Sequence, residues 1–60
     1  MYKYKIVNFL VDKEGIKEGN ATLEQLQNIL PYSIYERLLL PGTISIKESN
    51  GNESYDISKL

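Results

Sequence analysis

The chain has no cysteine and no histidine. Without cysteine, no disulfide can brace the fold and no thiolate can act as nucleophile or metal ligand. Without histidine, the commonest general base and the commonest metal ligand are both missing. Sixty residues bury only roughly 60% of the surface an unfolded chain exposes, so the core is marginal. Domains of this size usually lean on disulfides, a metal or self-association, which here leaves very good packing or oligomerisation. Charge of one sign is missing too: seven basic and eight acidic residues leave a net charge of −1, so no strong field can steer a charged ligand. The apolar run Ile6 to Val11 is broken by Asn8 and is too short for a transmembrane helix or a signal peptide. These absences point to a single small domain spanning residues 1–60, without cofactor or metal and without membrane attachment. Missing cysteine fits a reducing interior, so a cytoplasmic location is expected.

The positive signals are local. Composition is 42% apolar and 25% charged, the balance of a globular domain. Between Thr43 and Leu60, Asn50-Gly51 separates two runs that alternate apolar and polar. Asn-Gly is the strongest short hairpin signal, because a type I′ turn needs φ > 0 at both central residues. With Asn50-Gly51 as the turn, Glu48 faces Glu53, Ile46 faces Tyr55 and Ile44 faces Ile57. Ile44, Ile46, Tyr55 and Ile57 then share one face, and a one-residue slip would scramble that sorting.

Tyr2 to Val11 reads as a strand rich in Tyr, Ile, Val and Phe. Apolar residues on both of its faces suggest a central or doubly covered position. Asp12 to Gly15 suits a type I turn, after which Ile16-Lys17-Glu18 is a candidate short return strand; Gly19-Asn20-Ala21 breaks that pattern. Two segments then match the S/T-x-x-E/Q capping box, Thr22 to Gln25 and Ser33 to Glu36. They predict helices at Leu23 to Leu30 and Ile34 to Leu40, the first stopped by Pro31 and the second by Pro41-Gly42. The order predicts an α+β fold: a small antiparallel sheet, made of the N-terminal strand and the C-terminal hairpin, packed on two short helices. The N-terminal strand should lie beside the final strand. Expected core residues are Ile6, Phe9, Leu23, Leu26, Leu30, Ile34, Leu38, Ile44, Ile46, Tyr55 and Ile57.

Few residues suggest chemistry. Asp12, Glu14 and Glu18 are dense carboxylates, but a calcium loop starting at Asp12 would put Lys17 where glycine belongs and has no closing Glu. No Ser-His or Cys-His pair and no Gly-rich phosphate loop is present, and so short a chain leaves little room for a cleft that buries substrate. No enzyme activity is expected.

Two short helices followed by a wing-like hairpin also give the element order of a winged helix-turn-helix. Tyr35-Glu36-Arg37-Leu38-Leu39-Leu40-Pro41-Gly42 and Asn50-Gly51-Asn52-Glu53-Ser54-Tyr55 resemble the corresponding part of MerR and excisionase-type regulators. That resemblance implies duplex DNA as ligand, with the second helix as the reading element. Phosphate neutralisation needs several Lys or Arg on one face. The second helix offers only Arg37 beside Glu36, and the hairpin offers Lys47 among Glu48, Glu53 and Asp56, so nucleic acid is not the expected partner.

Another protein is. Five tyrosines in sixty residues supply contact area with polar tips, and Tyr32 and Tyr35 beside Pro31 are the best candidates for an exposed pair. Leu38-Leu39-Leu40 points three ways on a helix, so one core face cannot hide all three. Tyr32, Tyr35, Arg37 and Leu39 are therefore the expected partner-binding residues. A homo-oligomer is expected alongside, given the marginal core. The function that fits is a non-enzymatic protein-binding module that occupies a partner's surface, as small accessory or inhibitory proteins of phages and mobile elements do. The alternatives are the winged-helix regulator and a structural subunit of an assembly.

Overall fold

The computed structural model describes residues 1–10 and 15–60. The elements run β1 (Tyr2–Asn8), β2 (Ile16–Ala21), α1 (Leu23–Ile29), α2 (Tyr32–Leu38), β3 (Ser45–Asn50) and β4 (Glu53–Lys59). The strands form one sheet in the order β2-β1-β4-β3, antiparallel throughout. Both helices pack on one of its faces, so the expected α+β architecture is the one observed. The N-terminal strand does lie beside the final strand, pairing Tyr4 with Ile57 and Ile6 with Tyr55.

Period-two alternation decides which residues meet the helices. On that face the sheet contributes Tyr2, Ile6, Ala21, Ile46, Tyr55 and Ile57, and the helices with the C-cap of α1 contribute Leu26, Leu30, Ile34 and Leu38. Leu26 and Ile57 are completely buried. Tyr4, Leu23 and Tyr35 lean on the cluster from its margin. The ambiguity of β1 resolves toward a central position with one covered face. Its odd residues point away from the helices, which is why Phe9, expected in the core, is 64% exposed just past the strand's end. Tyr2 and Ala21 fill core positions instead, directly opposite each other.

A fourth strand completes the sheet. Ile16 to Glu18 do return beside β1, and the strand continues through Gly19-Asn20-Ala21 rather than stopping there. Glycine inside a strand normally weakens it. Here the Tyr4 ring covers the gap: a Cβ at Gly19 would meet Tyr4 side-chain atoms at 3.5–3.7 Å. The proposed turn at Asp12 to Gly15 falls mostly outside the described residues.

The C-terminal hairpin is built on a different turn from the expected one. Asn50 pairs with Glu53, so Gly51 and Asn52 are the central residues. Gly51 has φ +64°, and among the described residues only glycines have positive φ. That is the pattern of type II′, which asks a left-handed φ of its first central residue alone. Gly51 meets this demand at no steric cost, and Asn50 keeps strand geometry and gains a ladder partner. Every pairing therefore moves by two: Ile46 faces Ile57 and Glu48 faces Tyr55. A shift of two preserves the faces, so Ile46, Tyr55 and Ile57 stay inside. Ile44 does not. It lies beyond the end of β3, where its carbonyl accepts from the Lys59 N–H at 2.8 Å, and it is 71% exposed.

Of the two predicted capping boxes, the first forms. Thr22 Oγ1 accepts from the Gln25 N–H at 3.1 Å, and Gln25 Oε1 accepts from the Thr22 N–H at 2.8 Å. The second does not. Pro31 occupies the N-cap of α2, and its carbonyl accepts from Ile34 and Tyr35, each at 3.0 Å. Proline holds φ at −57° and forces Leu30 into extended geometry, so α1 stops and α2 starts within two residues. The helix thus begins at Tyr32 and Ser33 lies inside its first turn. Leu40-Pro41-Gly42-Thr43 follows as a type II turn, with Gly42 at φ +85° and the Thr43 N–H donating to the Leu40 carbonyl at 3.3 Å. Thr22→Ala should cost about 1 kcal/mol and Ser33→Ala less than about 0.5 kcal/mol, as read by urea unfolding.

Candidate functional site

The four sequence-predicted residues all belong to α2 or its C-cap, and Pro31 sets where that helix begins. Ile34 and Leu38, one turn apart, are buried against the sheet. The helix advances about 100° per residue, so Leu39 falls within about 20° of Tyr32 when viewed down the axis. Tyr32 and Leu39 are 70% and 51% exposed. Tyr35 sits on the shoulder between this stripe and the core, half-buried, with its ring centroid 6.4 Å from that of Tyr32 and tilted 42° to it. Three of the four residues thus form one aromatic and aliphatic ridge on a helix whose other side is anchored.

Arg37 is placed apart. It lies some 160° around the axis from Leu39 and forms a salt bridge with Glu48 on β3. Both side chains are substantially solvated, so the pair adds at most about 1 kcal/mol. Its use is to fasten the flank of α2 to the sheet edge. Leu40, 59% exposed, continues the apolar surface into the turn.

The tyrosines divide by position. Tyr2 and Tyr55 are buried, Tyr4 and Tyr35 half-buried, and Tyr32 exposed. On β1 the tyrosines face the helices, whereas Lys3 and Lys5 lie on the opposite face. Aromatic rings and cations are therefore not combined there into the kind of surface on which single-stranded bases stack.

A shallow cleft of about 310 Å³ opens at one end of the helix–sheet seam, between Pro31, Lys17, Asn8 and Tyr55. Asn8, Tyr55 and Glu53 in this cleft serve local structure. Asn8 Oδ1 accepts from the Leu10 N–H at 3.0 Å, and the Tyr55 hydroxyl donates to Glu53 Oε1 at 2.9 Å. Burial, and secondarily the Glu53 carboxylate, push the Tyr55 hydroxyl above the usual tyrosine pKa. Among the described residues no group of three or more acidic side chains could hold a metal ion, and no helix is long and apolar enough to cross a membrane.

Comparison with known proteins finds no match: no family model, no curated protein and no solved structure is significantly similar to this chain.

Tyr55 makes alkaline stability a readout of the seam. Because its pKa is raised on folding, its contribution is complete below the unfolded value of about 10 and is lost as pH climbs through the higher folded value. Tyr55→Phe should cost about 1 kcal/mol at neutral pH through the lost hydrogen bond. The gap between the variant and the parent should then narrow above pH ~10, as measured by chemical unfolding across that range.

Proposed function

We propose that this chain is a non-enzymatic protein-binding module that acts by occupying a partner protein's surface with the Tyr32–Tyr35–Leu39 ridge. The observation that carries this reading is an exposed aromatic and leucine stripe on a helix held rigid from behind by Ile34 and Leu38. Interfaces are enriched in tyrosine at their energetic centres, and a rigid anchor loses little entropy on binding. Arg37, about 160° around the helix from Leu39 and paired with Glu48, lies off this ridge. The size and composition of the chain suit a small accessory or inhibitory protein of a phage or mobile element, working in the cytoplasm.

The winged-helix reading receives less support. Its reading helix would be α2, whose one cation, Arg37, is already paired with Glu48. Duplex binding rests on several phosphate contacts, and α2 has no others to offer.

The test is a pull-down from lysate, nuclease-treated and untreated in parallel, with the parent chain and the Tyr32→Ala/Leu39→Ala variant as bait. A stoichiometric protein should survive nuclease on the parent and bind the variant at least about tenfold more weakly. Unfolding of the double variant should stay within about 1 kcal/mol of the parent, since both side chains are exposed. Capture that disappears with nuclease, or a partner indifferent to the two truncations, would overturn this assignment.

A further inference from the structure

The face of the sheet that the helices do not cover carries an ordered row of charges. Reading across β2-β1-β4-β3, one row of directly paired residues is Glu18, Lys5, Asp56, Lys47. All four are exposed, and their signs run minus, plus, minus, plus. Alternation of this kind favours the register of neighbouring strands within one sheet. It has a second property: read backwards, every sign is inverted.

We propose that this face is a self-association surface, on which two copies pack sheet to sheet about a twofold axis running along the strands between β1 and β4. That operation lays β1 over the partner's β4 and β2 over its β3 without shifting residues along the strands. Lys5 then faces Asp56 of the second copy, and Glu18 faces its Lys47. All four charges of the row are opposed by unlike charges. A twofold axis across the strands would instead set each charge against its own copy.

Side-chain volume obeys the same symmetry, and it is independent of charge. The β4–β3 half of the face carries serine at 45, 49, 54 and 58, and the β2–β1 half carries Asn20, Ile16, Val7 and Lys3 in the matching rows. The twofold seats each large residue over a serine: Lys3 on Ser58, Val7 on Ser54, Ile16 on Ser49 and Asn20 on Ser45. At the end of the central strands, Met1 and Leu60 are 61% and 67% exposed and adjacent, with the Leu60 N–H donating to the Met1 carbonyl at 3.0 Å. The same operation brings Met1 over the partner's Leu60.

The extent of the face sets the strength. Four strands about 4.8 Å apart and seven residues at about 3.3 Å cover roughly 400 Å² a side. That is about half the ~800 Å² of a standard interface, so the dimer belongs to the weak, concentration-dependent class. It leaves the α2 ridge free, so its success or failure is separate from that of the partner proposed there.

The experiment exploits two residues that are far apart in one copy yet opposed across the axis. Sedimentation equilibrium over a micromolar to millimolar series should show a monomer–dimer equilibrium for the parent chain. Glu18→Lys and Lys47→Glu should each weaken it at least tenfold, with circular dichroism confirming that both variants fold. Mixing the two variants should restore association, because the side chain introduced by Glu18→Lys then meets the one introduced by Lys47→Glu on one side of the axis, and native Lys47 meets native Glu18 on the other. Isotopic labelling of one variant and native mass spectrometry would identify the restored species as the mixed dimer. A parent chain that stays monomeric throughout, variants that associate as the parent does, or a mixture that fails to recover would each overturn the proposal.

Discussion

The fold is organised by the pairing of β1 with β4, which joins the first strand of the chain to the last. Seven consecutive residue pairs make this ladder, from Tyr2 with Lys59 to Asn8 with Glu53. It turns two hairpins that would be marginal alone into a four-stranded sheet. It also aligns Tyr4 and Ile6 with Ile57 and Tyr55, the continuous apolar floor on which both helices sit. Leu26 reaches complete burial because that floor extends across strands far apart in sequence. The ladder has no local reward: it must form across nearly the whole chain, and the chain-closure entropy is offset only when helices and sheet meet.

Much of this was legible in the residues, and the errors have physical causes. Alternation identified the inward residues of the hairpin because facing depends on parity, and parity survived a turn displaced by one residue. What alternation could not decide was which two residues form the turn. Asn50-Gly51 and Gly51-Asn52 both put the glycine where a positive φ is needed, and the choice belongs to the ladder, which gains the Asn50–Glu53 pair. Ile44 left the core for that reason. The second helix begins earlier than its capping box predicts, because Pro31 starts it without a side-chain cap. Phe9 lies outside the core because parity overrides apolar character: it follows Lys3, Lys5 and Val7 onto the face without helices.

The candidate ridge was partly legible. Three consecutive leucines cannot share one helical face, and Leu39 and Leu40 are indeed exposed while Leu38 is buried. Tyr32, Tyr35 and Leu39 come together because their spacing matches the helical repeat, whereas Arg37, two residues from both Tyr35 and Leu39, is carried to another side of the helix. The patterned sheet face could not be seen before the strand order was known. Its row of four charges comes from four separate segments, and the symmetry between its two halves exists only once β1 lies beside β4.

The interior position of β4 governs how the chain can be made. On a ribosome adding about 5–20 residues per second, both helices and three of the four strands emerge before their shared floor exists. Until β4 enters between β1 and β3, β1 has a partner on one side only and the inward leucines of α1 and α2 remain wet. β4 acts as a keystone: inserted between β1 and β3, it completes the floor on which both helices pack. A nascent chain halted before residue 53 would therefore present to chaperones and proteases an open apolar surface that the finished protein never shows.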